Sequence, residues 1–509
     1  MTSNLTRVAL FSFLLICFIP NSALAEVKTF IKEYTCQASK IDRKVSSRIT
    51  AIREVKRLLL EEIGTYLERE TEVKNFQLTK EQMTALTAGI VKTEVIDEKW
   101  NGEIYWIRTK IIVDTDHVIK SIDALRKDGN KSRQLEITKK RADVLLQENK
   151  KLREELVIAK GNEKQKVQQR YDHSIKELLA IEWFESGNIY YVKGDYKTAI
   201  RHYCEAMELN PEDVFWHGKL GDTYYALGKY DEAIVDFSKA IEINPKDVLL
   251  YTKRGDAYYA FGKYDKAIVD FSQAIGLHPQ GVWLYTKRGD TYYAFGKYNE
   301  AIVDFSKAIE FNPKEALLYA RRGDAYYAFG KYNEAIVDFS KAIEFNPKDV
   351  FWYGKRVDAY CAIGKYNEAI VDFSNIMELQ PKQAVFYNSR GYLYDEIGKH
   401  NEAIVDYGKA IELDPDLPYP YMHLGVHYNR LGKYNKAINH LNKAIELSPL
   451  YEDAYYVRAC SYSMTSNIKR SIQDLKQAVK IKPTLRNDAK NDKYFDNIKD
   501  MAEFKRLIY

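Results

Sequence analysis

Residues 248–281 read VLLYTKRGDAYYAFGKYDKAIVDFSQAIGLHPQG, and this stretch is one copy of a pattern that returns every 34 residues. Its first half places Tyr251, Gly255 and Tyr258 on a helix that turns at Gly262-Lys263. A second helix follows, carrying Ala267, Phe271 and Ala274, and Pro279 ends it. Gly255 and Ala267 are small enough for the two helices to approach closely, and Tyr258 and Phe271 fill the remaining space. Proline cannot continue a helix, so Pro279 starts the next copy in a fixed direction. The alanine recurs from Ala199 to Ala437 and the proline from Pro211 to Pro483, marking nine units over residues 180–485 without an insertion. The excess of 40 Tyr over 21 Phe is what copying one Tyr-rich unit produces. Each helix pair leaves an apolar face that only its neighbour buries, so stability is a sum over neighbours and both ends need caps. At the far end Ser466-Asn467 replaces the Gly-Lys turn. Residues 486–509, with Tyr494, Phe495, Ile498, Met501, Phe504 and Leu507, are expected to form one closing helix.

The period and its Gly, Ala, aromatic and Pro marks resemble the tetratricopeptide repeat family over residues 180–485. The resemblance implies a mainly α fold, a right-handed superhelix of helix pairs. It also implies that positions 2, 5, 6, 9, 12 and 13 of each unit face a concave groove. On that basis position 6 presents Lys219, Lys253, Lys287, Arg321 and Lys355. Position 9 presents Asp222, Asp256, Asp290, Asp324 and Asp358, and position 12 presents Tyr225, Tyr259, Tyr293 and Tyr327. The cation and the Asp stand three apart on one helix and can pair with each other, at about 0.2–0.5 kcal/mol. Members of the family that clamp a terminal carboxylate use Asn where Asp stands here, so that mode is not expected. Units seven to nine carry Tyr392, Val426 and Cys460 at position 9, and Val357 takes the small Gly position in unit six. A change of surface and of curvature is expected there.

Upstream of the repeats, residues 129–179 lose β-forming residues and read as a helical spacer. Leu135, Ala142, Asn149 and Leu156 fall seven apart, with Thr138, Leu145, Leu152 and Ala159 between them. This is a heptad seam, and Asn149 at an a position favours a parallel two-stranded partner. Two readings stand: a homodimer through 135–159, or a solvated linker helix. Residues 26–128 read as a small α/β domain in the order β-α-β-α-β-β-α. Strands are expected at Glu26–Ser39, Val91–Trp100 and Glu103–Val113, with a hairpin at Asn101-Gly102 and an amphipathic helix over Ser46–Leu67. Thr79, with Gln82 three residues on, marks a further helix start. The run Gln77 to Gln82 resembles the amino-terminal region of exported tetratricopeptide proteins of Gram-negative delta-proteobacteria. The domain also resembles small α/β modules of outer-membrane and flagellar assembly proteins. Residues 1–25 combine Arg7, an apolar run from Val8 to Ile19 and Ala23-Leu24-Ala25 before Glu26, the pattern of a signal peptide cleaved after Ala25. The expected location is the periplasm or the medium, the alternative being an inner-membrane anchor by an uncleaved signal.

Composition narrows the functional classes. A net charge of +5 over 509 residues offers no field for nucleic acid. Beyond the leader Cys36, Cys204, Cys361 and Cys460 have no close spacing for a pair or a metal knuckle. His423 and His427 are four apart on a helix, a spacing open to a metal, but packing is the expected role. Asp114-Thr115-Asp116 is read as a helix cap. With no nucleophile elbow, phosphate loop or Cys/His cluster in the sequence, no enzyme and no cofactor are expected. The expected function is an exported interaction scaffold holding a protein or extended peptide along the groove. The alternatives are a cell-envelope glycan binder and a structural oligomer whose groove its own N-terminal region fills.

Overall fold

Gly102 adopts φ 99°, which a side chain would oppose, and so closes the expected hairpin between β2 (Thr93–Trp100) and β3 (Ile104–Asp114). The computed structural model describes residues 27–38, 44–72, 91, 93–114 and 129–508. The leader, the helix start at Thr79, the segment after Asp114 and the additional elements of the expected β-α-β-α-β-β-α order lie outside these residues. The chain divides into two compact units, Met1–Leu277 and His278–Tyr509.

In the first, β1 (Val27–Gln37) pairs antiparallel with β3 from Val27↔Asp114 to Gln37↔Ile104, giving the sheet order β1-β3-β2. Alternation places Cys36, Tyr105 and Ile107 on one face. There α1 (Lys44–Glu72) lays down Ala51, Ile52 and Val55, so the amphipathic stripe expected from Ser46 onward does cover a sheet. The helices that follow, α2 (Gly129–Ile158) and α3 (Gly161–Val192), form a hairpin about Gly161, whose φ is 57°. Leu152 and Leu156 pack on Val167 and Tyr171 at its tip, and Ala142 and Leu145 join Leu178 and Ile181 toward its base. Among the described side chains, the heptad residues are therefore covered by α3 of the same chain, which corrects the reading of a seam for a second copy. Asn149 is buried in this hairpin. The expected boundary at 179/180 also falls inside one continuous helix, because α3 supplies the first helix of unit one.

Glu185 of α3 ties the sheet domain to the repeats. Arg53 Nη1 lies 3.1 Å from both of its carboxylate oxygens, Arg53 Nη2 donates to the Leu178 carbonyl at 3.2 Å, and Lys56 Nζ is a third partner. Burial alone would raise the Glu185 carboxyl, but Arg53 and Lys56 outweigh it and hold the group down at about 2.

From unit two onward each 34-residue unit is a pair of helices, here A and B. They are Val248–Ala260 and Tyr264–Leu277 in unit three, and Glu452–Met464 and Ile468–Ile481 in unit nine. The A-to-B turn holds glycine at φ 66–81°, and Ser466 takes over at φ 58° in unit nine. A Cβ on Gly255 would stand 2.8 Å from the Phe271 ring, and one on Gly323 2.7 Å from Phe339, so the close approach is real. In unit six Val357 fills that place and Phe373 is only partly buried, whereas its counterparts Phe271 and Phe339 are fully buried. A further interaction, not among the expectations from sequence, joins A to B. Arg254, Arg288, Arg322, Arg356, Arg390 and Arg458 each fork onto the Asp sixteen residues later at 2.6–2.9 Å. Four of these arginines also donate to a serine on the preceding B helix, as Arg322 does to Ser306 at 3.0 Å.

The cap differs from the single helix expected. It consists of Leu485–Asn491, a 3-10 turn at Lys493–Phe495 and Ala502–Ile508. Asp492 causes the break: its carboxylate accepts from the Tyr494 amide at 3.0 Å and from the Tyr456 hydroxyl at 2.9 Å. Phe495, Ile498, Phe504 and Ile508 are buried as a closing face should be, while Met501 is exposed.

Because the Glu185 carboxyl is lower in the folded chain than its ordinary 4.5, its stabilisation is present above that value and is lost as pH falls toward 2. Glu185→Gln leaves Arg53 and Lys56 buried without their anion and is expected to cost about 3–5 kcal/mol at pH 7. The difference between variant and parent should shrink from pH 5 to pH 2, read as urea midpoints. An equal difference at both ends would refute the assignment.

Candidate groove site

The A helices of neighbouring units lie side by side, and this decides the partners of the expected Lys–Asp–Tyr set. Lys253 Nζ lies 2.8 Å from Asp222 of the unit before it, Lys355 Nζ lies 3.0 Å from Asp324, and Arg321 pairs with Asp290. These three position-6 cations thus reach back one unit, across 31 residues, and not to the Asp one turn along their own helix. The i,i+3 pairing expected from sequence is corrected accordingly. Lys219 lies over the Tyr191 ring at 5.8 Å, and Lys287 and Asp256 are half-buried on the same helix positions.

The run closes at Asp358, because position 6 of unit seven is Ser389. Desolvation raises the Asp358 carboxyl, Lys355 opposes the rise and Asp324 adds to it. Beyond that point the register continues with other chemistry. Tyr392 meets His423 with ring centroids 5.9 Å apart, and Val426 and Val457 share one apolar cluster.

Tyr225, Tyr259, Tyr293 and Tyr327 are 38–40% exposed, so each ring offers a face to solvent. Each is backed by the tyrosine that opens the B helix, at centroid distances of 5.5, 5.4, 5.5 and 5.2 Å. Desolvation, then the Asp of the following unit, raises the phenols of Tyr225, Tyr293 and Tyr327.

Models of the tetratricopeptide repeat match residues 187–228, 221–262, 255–296, 289–330, 427–464, 316–349, 384–417 and 452–485. The chain belongs to the tetratricopeptide repeat family. No curated protein sequence matches it. Among solved structures it is similar to MamA, at 29% identity over 33% of this chain and 93% of that one, with a TM-score of 0.32. A tetratricopeptide repeat protein from Parabacteroides merdae matches at 25% identity over 46% and 93%, with a TM-score of 0.36. YrrB, described as a TPR protein with an unusual peptide-binding site, matches at 23% identity over 36% and 95%, with a TM-score of 0.32. Among the described residues no helix is long and apolar enough to cross a membrane.

One row of this tetratricopeptide array is absent from the expected site. Position 2 of units four to eight carries Trp283, Leu317, Phe351, Val385 and Tyr419, which are 42, 41, 54, 55 and 50% exposed. The residue type changes at every unit, so the row shows no period in identity. Only its apolar class recurs, and that was the available signal.

The two sets of ion pairs carry different loads. Arg322→Ala strands Asp338, whose side chain is 3% exposed, and is expected to cost about 3–5 kcal/mol. Lys355→Ala removes a pair whose members are 34% and 29% exposed and is expected to cost less than about 1 kcal/mol. Urea midpoints of the two variants check this, and equal losses would show that both ladders are structural.

Proposed function

We propose that this tetratricopeptide scaffold is exported and holds an extended peptide segment of a partner protein along the A helices of units four to eight. The observation that carries the reading is the exposed row Trp283, Leu317, Phe351, Val385 and Tyr419. Single exposed apolar residues are ordinary, but one on the same helix position of five successive units makes a stripe. Beside it run the Lys/Arg–Asp pairs, which offer donors and acceptors to peptide amides, and the tyrosine faces. Aromatic rings alone would serve a glycan equally well. Leu317 and Val385 have no ring to stack on a sugar, and they favour apolar side chains as the ligand groups.

Neighbouring helices stand roughly 10 Å apart, which an extended peptide spans in about three residues at ~3.3 Å each. Selection of a displayed peptide library on the full chain is therefore expected to enrich apolar residues at every third position. Trp283→Ala/Phe351→Ala should weaken the selected peptides at least about tenfold while leaving the melting temperature unchanged, because both side chains are exposed. Peptides that bind the variant equally well, or binding of envelope glycans without any peptide selected, would overturn the reading.

The leader pattern in residues 1–25 supplies the proposed compartment, periplasm or medium. Protein recovered from the producing cell should begin at Glu26 by intact mass. A chain that keeps Met1 and remains in the cytosol would refute export.

A further inference from the structure

Three positions of the repeat change chemistry together at one place. In units two to five, position 12 and position 17 are a tyrosine pair in ring contact, such as Tyr293 with Tyr298 at 5.5 Å. In unit seven they are Asp395 and His400. Position 10, which is Ala or Thr in units two to six and Leu393 in unit seven, is His427 in unit eight. The fold brings the three together, with one ligand atom of each lying within 4.8 Å of the others. His400 Nδ1 is 2.9 Å and His427 Nδ1 3.9 Å from Asp395 Oδ1.

Two further observations point at a ligand. His427 is buried, at 2% exposure, and its Nδ1 has no hydrogen-bond partner although it is directed at this cluster. A buried, unsatisfied imidazole nitrogen is costly unless something fills it. The second oxygen of Asp395 is held from behind by the Tyr407 hydroxyl, which donates to Oδ2 at 3.0 Å. An outer partner of this kind orients a ligating carboxylate. Tyr407 is itself fixed by stacking on His423, with centroids 5.0 Å apart and planes at 9°. His423 is thus a packed residue outside the cluster, and burial holds it down at about 4.

We propose that Asp395, His400 and His427 bind one first-row divalent metal ion, zinc by donor set, with the remaining position open to water. Two imidazoles and one carboxylate are the ligands such an ion takes in tetrahedral sites that keep an open place. Bond lengths of about 2.0–2.2 Å put neighbouring ligand atoms roughly 3.3 Å apart, between the 2.9 and 3.9 Å already present. The open place lies on the side of His400, whose side chain is 43% exposed. The ion joins helices A and B of unit seven to helix A of unit eight.

The test is calorimetric titration of the full chain, stripped with EDTA, with zinc chloride. The unit's own repeats supply variants that will fold: H400Y restores the tyrosine of units two to six, H427A the alanine of unit three, and Y407F the phenylalanine found at Phe339. One ion per chain is expected, with affinity reduced at least about 100-fold in H427A and H400Y and about 10-fold in Y407F. Binding should be unchanged in His173→Ala, a change at an exposed site. Cobalt(II) should give visible bands of tetrahedral intensity without thiolate charge transfer, and these should vanish in H427A. Zinc bound with equal affinity by H427A and H400Y, cobalt spectra showing cysteine ligation, or no binding by the parent chain would each overturn the site.

Discussion

The arginine fork between A and B is the constraint on which the array rests. A helix that reads AIVDFS carries its Asp inside an apolar run, and in six units that carboxylate is only 2–8% exposed. Burying an anion is tolerable only with a full set of donors, and the planar guanidinium supplies two parallel ones. Because both bonds must be made at once, the fork fixes how helix A is rolled about its axis against B. The Gly–Phe contact one residue further along each helix then sets their distance. Where the arginine is absent its partner is also altered or re-paired. Unit one has Ser186 against His202 at 2.9 Å, and unit two keeps Asp236 by means of His217 at 3.1 Å. Unit eight has Leu424, buried, and His440 at these positions, and His440 stacks on Tyr428 at 5.3 Å.

The roll of helix A determines what the array shows to solvent. With positions 7 and 8 turned to helix B, positions 6 and 9 lie toward the neighbouring A helices, and positions 2 and 12 are left exposed. The Lys/Arg–Asp ladder is then a consequence of stacking: a cation at position 6 finds the preceding unit's Asp because that helix lies alongside. Serine on the preceding B helix completes the arginine's donors, so each unit is held in its own closed form partly by its neighbour, as expected of a stack whose stability is a sum over interfaces. The tyrosine at position 4 adds a bracket of its own, as when Tyr319 donates to the Pro313 carbonyl at 3.0 Å.

What could be read from sequence was what depends on chain neighbours. Gly262-Lys263, Ala267 and Pro279 act within one unit, and Asn101-Gly102 acts within one turn, so each was legible. Partner choice was not legible when two candidates had equal chemistry. Lys355 has Asp358 three residues away and Asp324 one unit away, and only the stacking distance decides between them. The heptad seam failed for a related reason: an a/d pattern states which face is apolar, not which helix covers it or in which direction that helix runs. Gly161, two residues past the seam, was the signal that the chain itself turns back. At the groove, the Lys, Asp and Tyr rows were visible because they repeat in identity, and the position-2 row was missed because it repeats only in class.

A strict repeat makes departures from it informative, and those departures are not scattered. In units three, five and six, position 6 meets position 9 of the unit before as an ion pair. Ser389 interrupts this opposite Asp358, and the next two junctions use Tyr392 with His423 and Val426 with Val457. The tyrosine pair ends with unit five, and in unit seven its two positions are Asp395 and His400, with His427 entering from the next helix. A substitution that merely relaxed the repeat would lose one contact at a time and leave no orphaned buried nitrogen. Here three positions that meet at one junction carry metal-ligand types, in the part of the array where the ionic ladder and the tyrosine pair have both ended. An ion bound there restores a link between units seven and eight by coordination, where the rest of the array uses charge and ring contact.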